Sequence, residues 1–245
     1  MTIEMTPPSV LSSPQRRCQV LLMLALPGHT VTTEIIRAMN GVDEEVTRQD
    51  IAETDHEIQR FHRLTITSRQ DGSYRIEGTA LDQRLCLLQW LRRGLRLCPH
   101  FITQQYAPAL KAALKQQGVA RTLYDDTNLR ALINLCARRL ERSFECRDIQ
   151  FLRLYLQYCL LQSHYGFTPE FNPVQQAWTQ MRAEYAAAHE IVRHWRRRVT
   201  ALPPGNEHAF LSLLFMMLRT PDPLNDSQQQ DKRLQQAITH MIDRK

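Results

Sequence analysis

The chain has 245 residues, 43% hydrophobic and 23% charged, with a formal net charge of +6 and a pI near 9.2. That length suffices for one or two domains with a real core, and the composition is that of a globular rather than a disordered protein. No apolar run approaches the roughly 18 residues of a membrane span. Residues 1–13 hold no charged segment feeding an apolar one, so they read as a disordered leader and not as a signal peptide.

Six cysteines stand at 18, 86, 98, 136, 146 and 159, none in a C-x-x-C pair and most within apolar helical stretches. The pattern predicts reduced, buried thiols and a cytoplasmic protein rather than disulfides or a zinc site. Positive charge is unevenly placed. Between Gln83 and Arg121 there is no acid, but Arg84, Arg92, Arg93, Arg96, Lys111, Lys115 and Arg121 all occur, and a second cluster is Arg193, Arg196, Arg197 and Arg198. Such clusters suit either a solvated helix face or the phosphates of a nucleic acid.

Apolar residues recur at helical spacing after Pro14, at Val20, Leu21 and Leu24, until Pro27-Gly28 stops the helix. A second helix is predicted from Thr32 to Met39, ending at Asn40-Gly41. Asp43 then caps a third, with Val46, Ile51, Ile58 and Phe61 at its apolar positions. Leu64 to Thr67 alternates, Gln70-Asp71-Gly72-Ser73 forms a turn, and Tyr74-Arg75-Ile76 alternates again: a hairpin that must pack Ile66, Tyr74 and Ile76 on the helices. Three helices followed by a hairpin predict a winged helix-turn-helix over residues 14–80.

Helical texture returns at Leu81, with Leu85, Leu88, Leu91 and Leu95 in one stripe and Pro99 and Pro108 as punctuation. Leu110 and Leu114 begin a piece that Gly118 ends. Leu129, Leu132, Ile133, Cys136 and Leu140 continue, then an apolar run from Ile149 to Leu161 and a turn-rich loop from Gly166 to Pro173. Further helices are predicted over Val174 to Val199 and His208 to Leu218, separated by Leu202-Pro203-Pro204-Gly205. Pro221-Asp222-Pro223 reads as a linker. The last apolar stripe, Leu234, Ala237, Ile238, Met241 and Ile242, stops without a cap, as a helix does that continues into a further domain or pairs with a partner. The expected organisation is mainly α: leader 1–13, winged helix 14–80, basic helical connector 81–124, helical bundle 125–222, then linker and truncated helix 223–245.

In a helix-turn-helix the second helix of the pair presents its first turns to base edges in the major groove. Here that helix opens Val42-Asp43-Glu44-Glu45-Val46-Thr47-Arg48-Gln49-Asp50-Ile51. This resembles the corresponding stretch of bacterial sugar-operon regulators of the BglG/MtlR kind, with Val42, Arg48, Asp50 and Ile51 matching and Glu45 and Gln49 standing where that family has arginines. Gly72, Tyr74 and Gly78 follow in the same order as in the family's wing. The resemblance implies DNA contacts by Thr32, Thr47, Arg48, Gln49, Arg69 and Arg75. Asp43, Glu44 and Glu45 suit a helix N-terminus electrostatically but would face a phosphate-rich groove, and winged helices serve protein contacts as well as DNA.

Asp148, Leu152, Leu156, Gly166, Asn172-Pro173-Val174, Glu184-Tyr185, Ala188, Glu190-Ile191, Asn206-Glu207 and Phe210-Leu211 follow the spacing of a PTS-regulation domain (PRD). In such regulators phosphotransferase-system proteins phosphorylate histidines of this domain. The first of those positions falls on Tyr155 here, its partner arginine on Gln162, and the second histidine on Leu214, so the resemblance implies a degenerate domain whose switch is lost. His164, His189, His194 and His208 are the remaining imidazoles nearby. Related antiterminators bind RNA through a small all-β module, and the helical start of this chain argues for duplex DNA and a homodimer instead.

His189 and His194 stand five apart, about 140° round a helix, and cannot share a metal as an i, i+4 pair does. Cys98-Pro-His100 lacks further ligands at zinc spacing. Phosphate-loop, dinucleotide and nucleophile-elbow signatures are absent, and Trp90, Trp178 and Trp195 sit in core periodicity. No metal, cofactor or enzyme activity is expected.

Overall fold

The computed structural model describes residues 11–197, 206–218 and 235–241. The chain divides into two compact units, Met1–Tyr106 and Ala107–Lys245. It is mainly helical, with one small sheet. The division falls inside the segment 81–124. Most of the leader, the Pro203-Pro204-Gly205 break, Arg198 and the Pro221-Pro223 linker lie outside the described residues.

In the first unit, α1 (Ser13–Leu24) starts at a reciprocal cap: Ser12 accepts from the Gln15 amide, and the Gln15 side chain accepts from the Ser12 amide at 2.9 Å. Every residue from Cys18 to Leu26 is buried, because α3 and α4 both pack on this helix. A two-residue strand β1 (Val31–Thr32) precedes α2 (Thr33–Asn40). Gly41, at φ +66°, ends α2 in a left-handed cap that a side chain would strain. Asp43 accepts from the Val46 amide and opens α3 (Glu44–His62). Then come β2 (Thr65–Ser68), β3 (Ser73–Glu77) and α4 (Ala80–Leu97), with Thr79 capping α4.

The sheet has the order β1-β3-β2, antiparallel throughout, pairing Ile66 with Ile76 and Val31 with Tyr74. The third strand was not legible in the sequence: two residues carry no alternation, and β1 exists because β3 has a free edge beside Val31. Ile66, Tyr74 and Ile76 are half-buried. Phe61 departs from its expected core position and is 62% exposed, under the Arg60 guanidinium, while Leu64 takes the buried place. α4 approaches α1 closely at Gly94, where a Cβ would lie 2.9 Å from Leu22 and 3.0 Å from Ile102. A short helix α5 (Pro99–Phe101) and a π-helical turn (Ile102–Tyr106) complete the unit.

In the second unit, α6 (Ala107–Gln116) and α7 (Asp126–Arg139) pack against α8 (Cys146–His164), whose residues Leu154 to Ser163 are all buried. The single helix expected from Val174 to Val199 is two: α9 (Pro173–Gln180) and α10 (Glu184–Arg196). The break follows the buried Thr179, whose hydroxyl donates to the Gln176 carbonyl at 2.7 Å and competes with the helix ladder. α9 packs chiefly on α11 (Asn206–Met217), whereas α10 packs on both α11 and α7. Two buried carboxylates hold this bundle. Glu184 accepts from Arg142 at 2.8 Å, and Glu207 accepts from the Ser163 hydroxyl at 2.6 Å. Five cysteines are buried and free, as the sequence predicts, and Cys146 is exposed.

α3 is locked in its roll by one stripe of carboxylates. Asp50 takes two hydrogen bonds from Arg16 of α1, at 2.7 and 3.3 Å; Glu53 pairs with Arg17; and Glu57 accepts from Arg93 of α4 at 3.0 Å. Asp50 is 2% exposed and Arg16 17%. Removing one member of a buried pair strands the other charge. Asp50→Ala should therefore destabilise the first unit by about 2–3 kcal/mol, whereas Arg48→Ala on the opposite face should change it by less than about 0.5 kcal/mol. Hydrogen exchange of α1 and α3 amides in a urea series reads both.

Candidate functional site

Two groups of residues were expected to carry function: the exposed face of α3 with the hairpin, and two positions in the helical bundle. With Asp50, Glu53 and Glu57 turned toward α1 and α4, α3 exposes Glu44, Glu45, Arg48, Gln49, Ala52, His56, Gln59 and Arg60. Arg48 is bonded to Glu44 one turn earlier, and Gln49 reaches toward Glu53 at 3.5 Å. Thr47 does not belong to this face: it is fully buried, and its hydroxyl donates to the Asp43 carbonyl at 2.8 Å. Thr32 is spent as the cap of α2, accepting from the Ile35 amide at 3.3 Å.

The hairpin turn is built by Asp71, which accepts from both the amide and the hydroxyl of Ser73, and by the Arg69 amide bonding the Ser73 carbonyl at 2.7 Å. Arg69 is exposed at this tip. Arg75 is exposed on β3 and bonded to Glu77, whose carboxyl it holds below the ordinary range. The fold thus gathers Arg48 and Gln49 on one helix face and Arg69 and Arg75 on one hairpin, and it removes Thr47.

Part of the basic run beyond the hairpin is buried or ion-paired, while Arg96, Lys115 and Arg121 are exposed. Arg84 is fully buried, Arg93 is bonded to Glu57 and stacked 4.3 Å over Trp90, and Lys111 is bonded to Asp126 at 2.7 Å. Sequence reasoning missed this because an acid-free stretch of chain finds its acids on other helices.

In the second unit Tyr155 is fully buried in an aromatic cluster, 5.2 Å from the Phe151 ring and 6.2 Å from those of Tyr158 and Phe210. Gln162 is buried and donates to the Tyr158 hydroxyl at 2.8 Å. Leu214 is fully buried in α11. These positions are core.

Of the four histidines, His164 is exposed at the end of α8 and His194 half-buried on α10. His189 and His208 meet: Nδ1 of His189 lies 3.2 Å from Nε2 of His208, with the rings stacked at 5.4 Å. This pairing of α10 with α11 has no sequence signal, since the two residues lie on different helices. Burial, with His189 and then Arg196 beside it, pushes the His208 imidazole down to about 4, against an opposing pull from Glu207. No group of three or more potential metal ligands exists among the described residues, and none of their helices is long and apolar enough to cross a membrane.

A histidine held neutral in the fold but free to protonate when unfolded weakens the fold as pH falls. The expected effect begins below the ordinary value near 6.5 and is complete near 4. Across that window His208 accounts for a loss of at most about 3 kcal/mol. His208→Gln should flatten this acid slope in a chemical-denaturation series while leaving the value at pH 8 little changed.

Residues 130–217 match the PRD domain. The chain is 58% identical over 238 residues to the stationary phase-inducible protein CsiE of Escherichia coli strain K12. That alignment takes in 97% of this chain and 56% of the relative, so the chain spans about half the length of the protein it matches. No solved structure matches it significantly. Residues 130–217, in the second unit, are thus similar to the PRD domain, and the chain is similar over nearly its whole length to CsiE.

Proposed function

We propose that this chain is a cytoplasmic, DNA-binding transcriptional regulator without enzyme activity, its first unit acting as a winged helix-turn-helix. The observation that carries this reading is the roll of α3. Three carboxylates fasten one side of that helix to α1 and α4, and the tight Gly41 turn from α2 leaves the side with Arg48 and Gln49 outward. The antiparallel hairpin then sets Arg69 and Arg75 on a wing. Arg48 and Arg75 are ion-paired, but exposed pairs of this kind are worth no more than about 1 kcal/mol, and DNA phosphates compete with them for the same guanidinium groups. A homodimer is the natural form, because such proteins read two half-sites with two copies of the same helix.

A second reading, a protein-interaction or dimerisation module with a repurposed winged helix, is favoured by Glu44 and Glu45 at the start of α3. Both are exposed where a docked helix would meet phosphates. In either reading the phosphorylation switch of this PRD is absent. Tyr155 and Leu214 carry no imidazole, and both are sealed in the core, out of reach of a phosphotransferase-system protein.

Retention on genomic duplex fragments over a salt series separates the two readings. Contact with Z phosphates gives a log–log slope near −0.9Z. Arg69→Ala and Arg75→Ala should each flatten that slope by about one phosphate, and Glu44→Gln with Glu45→Gln should strengthen retention several-fold. A folded protein with no retention at low salt would sink the DNA reading in favour of the second.

The switch is tested by incubation with the phosphorylated phosphocarrier protein of the phosphotransferase system and intact-mass detection. The expected mass is unchanged; a stoichiometric phosphohistidine within residues 125–222 would overturn the lost-switch assignment.

A further inference from the structure

The contact of His189 with His208 opens onto a cavity of about 310 Å³ lined also by Val192, Arg193, Arg196 and Arg197. Among the described residues its wall carries no carboxylate. Arg193 is neutralised by Glu190, which also accepts from Arg139. Arg196 and Arg197 have no acidic partner among the described residues, and both are exposed at the cavity. The groups around the two imidazoles are Tyr185, whose ring stacks on His208 at 5.3 Å, Arg193 and Arg196 on α10, and Glu207 on α11, whose carboxylate is turned to Ser163. α9, which also packs on α11, has no titratable side chain.

Two guanidinium charges of the same sign, left unbalanced beside two imidazoles, repel one another until an anion sits between them. The unsatisfied charge is two, so the complementary ligand is a dianion. Forked guanidinium donors together with one ring N–H fit a tetrahedral oxyanion better than a planar carboxylate. The hydrogen bond between the rings uses one nitrogen of each and leaves Nε2 of His189 and Nδ1 of His208 for other partners. Two imidazoles with no third ligand among the described residues do not make a metal site. The volume falls at the lower end of ligand pockets and suits a small ligand.

We propose that the cavity formed by His189, His208, Arg196 and Arg197 is a binding site for a phosphate group, free or at the end of a small phosphorylated compound. The anion bridges α10 and α11 and compensates the positive edge of that helix pair. Neither DNA contact nor a phosphorylation event is needed for it to bind.

The test uses the whole chain with sulfate, inorganic phosphate and glycerol 3-phosphate as separate titrants, followed by calorimetry and by histidine ring signals in NMR. Saturable binding of each is expected. Arg196→Gln with Arg197→Gln should weaken it about tenfold or more without moving the thermal midpoint, since both side chains are exposed. Sulfate keeps its charge across the range, so saturation with it should raise the titration midpoint of His208 by about a unit or more, while His29, His100 and His164 stay in place. Glycerol 3-phosphate binding as tightly as phosphate assigns the site to phosphomonoesters, and tighter phosphate binding assigns it to the free ion. Absence of saturable binding at millimolar anion would overturn the proposal. So would binding that the double arginine variant leaves intact, or a His208 midpoint that moves no more than those of the distant histidines.

Discussion

The Arg16–Asp50 pair decides what the first unit can present to anything outside it. A helix of α3's length has no intrinsic front and back; its roll is set by what it buries. Thr47, Asp50, Ile51, Thr54 and Ile58 form the buried side, and the two threonine hydroxyls are satisfied within the helix, by the carbonyls of Asp43 and Asp50. Asp50 is the one residue of that side bearing a charge, and a buried carboxylate is tolerable only with its partner in place. The bidentate contact with Arg16 therefore fixes the angle of α3 on α1. Glu53 and Glu57 extend the same fastening along the helix to Arg17 and Arg93. The outer face, with Arg48 and Gln49, follows from it.

The second unit uses the same device at greater depth. Glu184 and Glu207 are fully buried acids, one bonded to Arg142 and the other to Ser163, and both tie distant segments into the bundle. The core of this unit also holds an aromatic cluster. Tyr155 between Phe151, Tyr158 and Phe210 contributes ring packing, and Leu214 is a fully buried aliphatic side chain of α11. A phosphoryl acceptor must be reachable and must tolerate a new double negative charge. These positions offer neither condition, and the packing that forbids it is also what holds α8 to α11.

Periodicity made the helices legible because α1, α3, α4, α7 and α8 each bury a face against several neighbours, and turn residues marked their ends: Pro27-Gly28, Gly41, Gly118 and Gly166. β1 escaped, being a two-residue response to the free edge of β3 rather than a pattern of its own. The α9–α10 break escaped because apolar spacing runs through it, while the competing Thr179 hydroxyl acts only once that residue is buried. Among the residues expected to contact DNA, Arg48, Gln49, Arg69 and Arg75 are exposed. Thr47 was misread because a motif gives residue types, and the Asp50 side of the helix decides which of them face inward. The histidine pair lay beyond sequence reasoning, joined only by the packing of α10 on α11.

Charge runs along the chain were a poor guide to charge in space. The acid-free stretch from Gln83 to Arg121 looks like a surface for a polyanion, yet Arg84 is buried, Arg93 belongs to Glu57 and Trp90, and Lys111 belongs to Asp126. Their acids come from segments outside the run or at its far side, as folding permits and sequence counting cannot see. Exposed basic side chains without an acidic partner among the described residues include Arg69 at the wing tip, and Arg196 and Arg197 at the end of α10 beside two imidazoles. At the wing tip water and mobile ions dissipate the field. At the end of α10 Arg196 stands beside the buried His208, whose imidazole is pushed down first by burial and then by His189 and Arg196. Unpaired positive charge is thus screened at the wing tip and gathered beside two imidazoles at the end of α10.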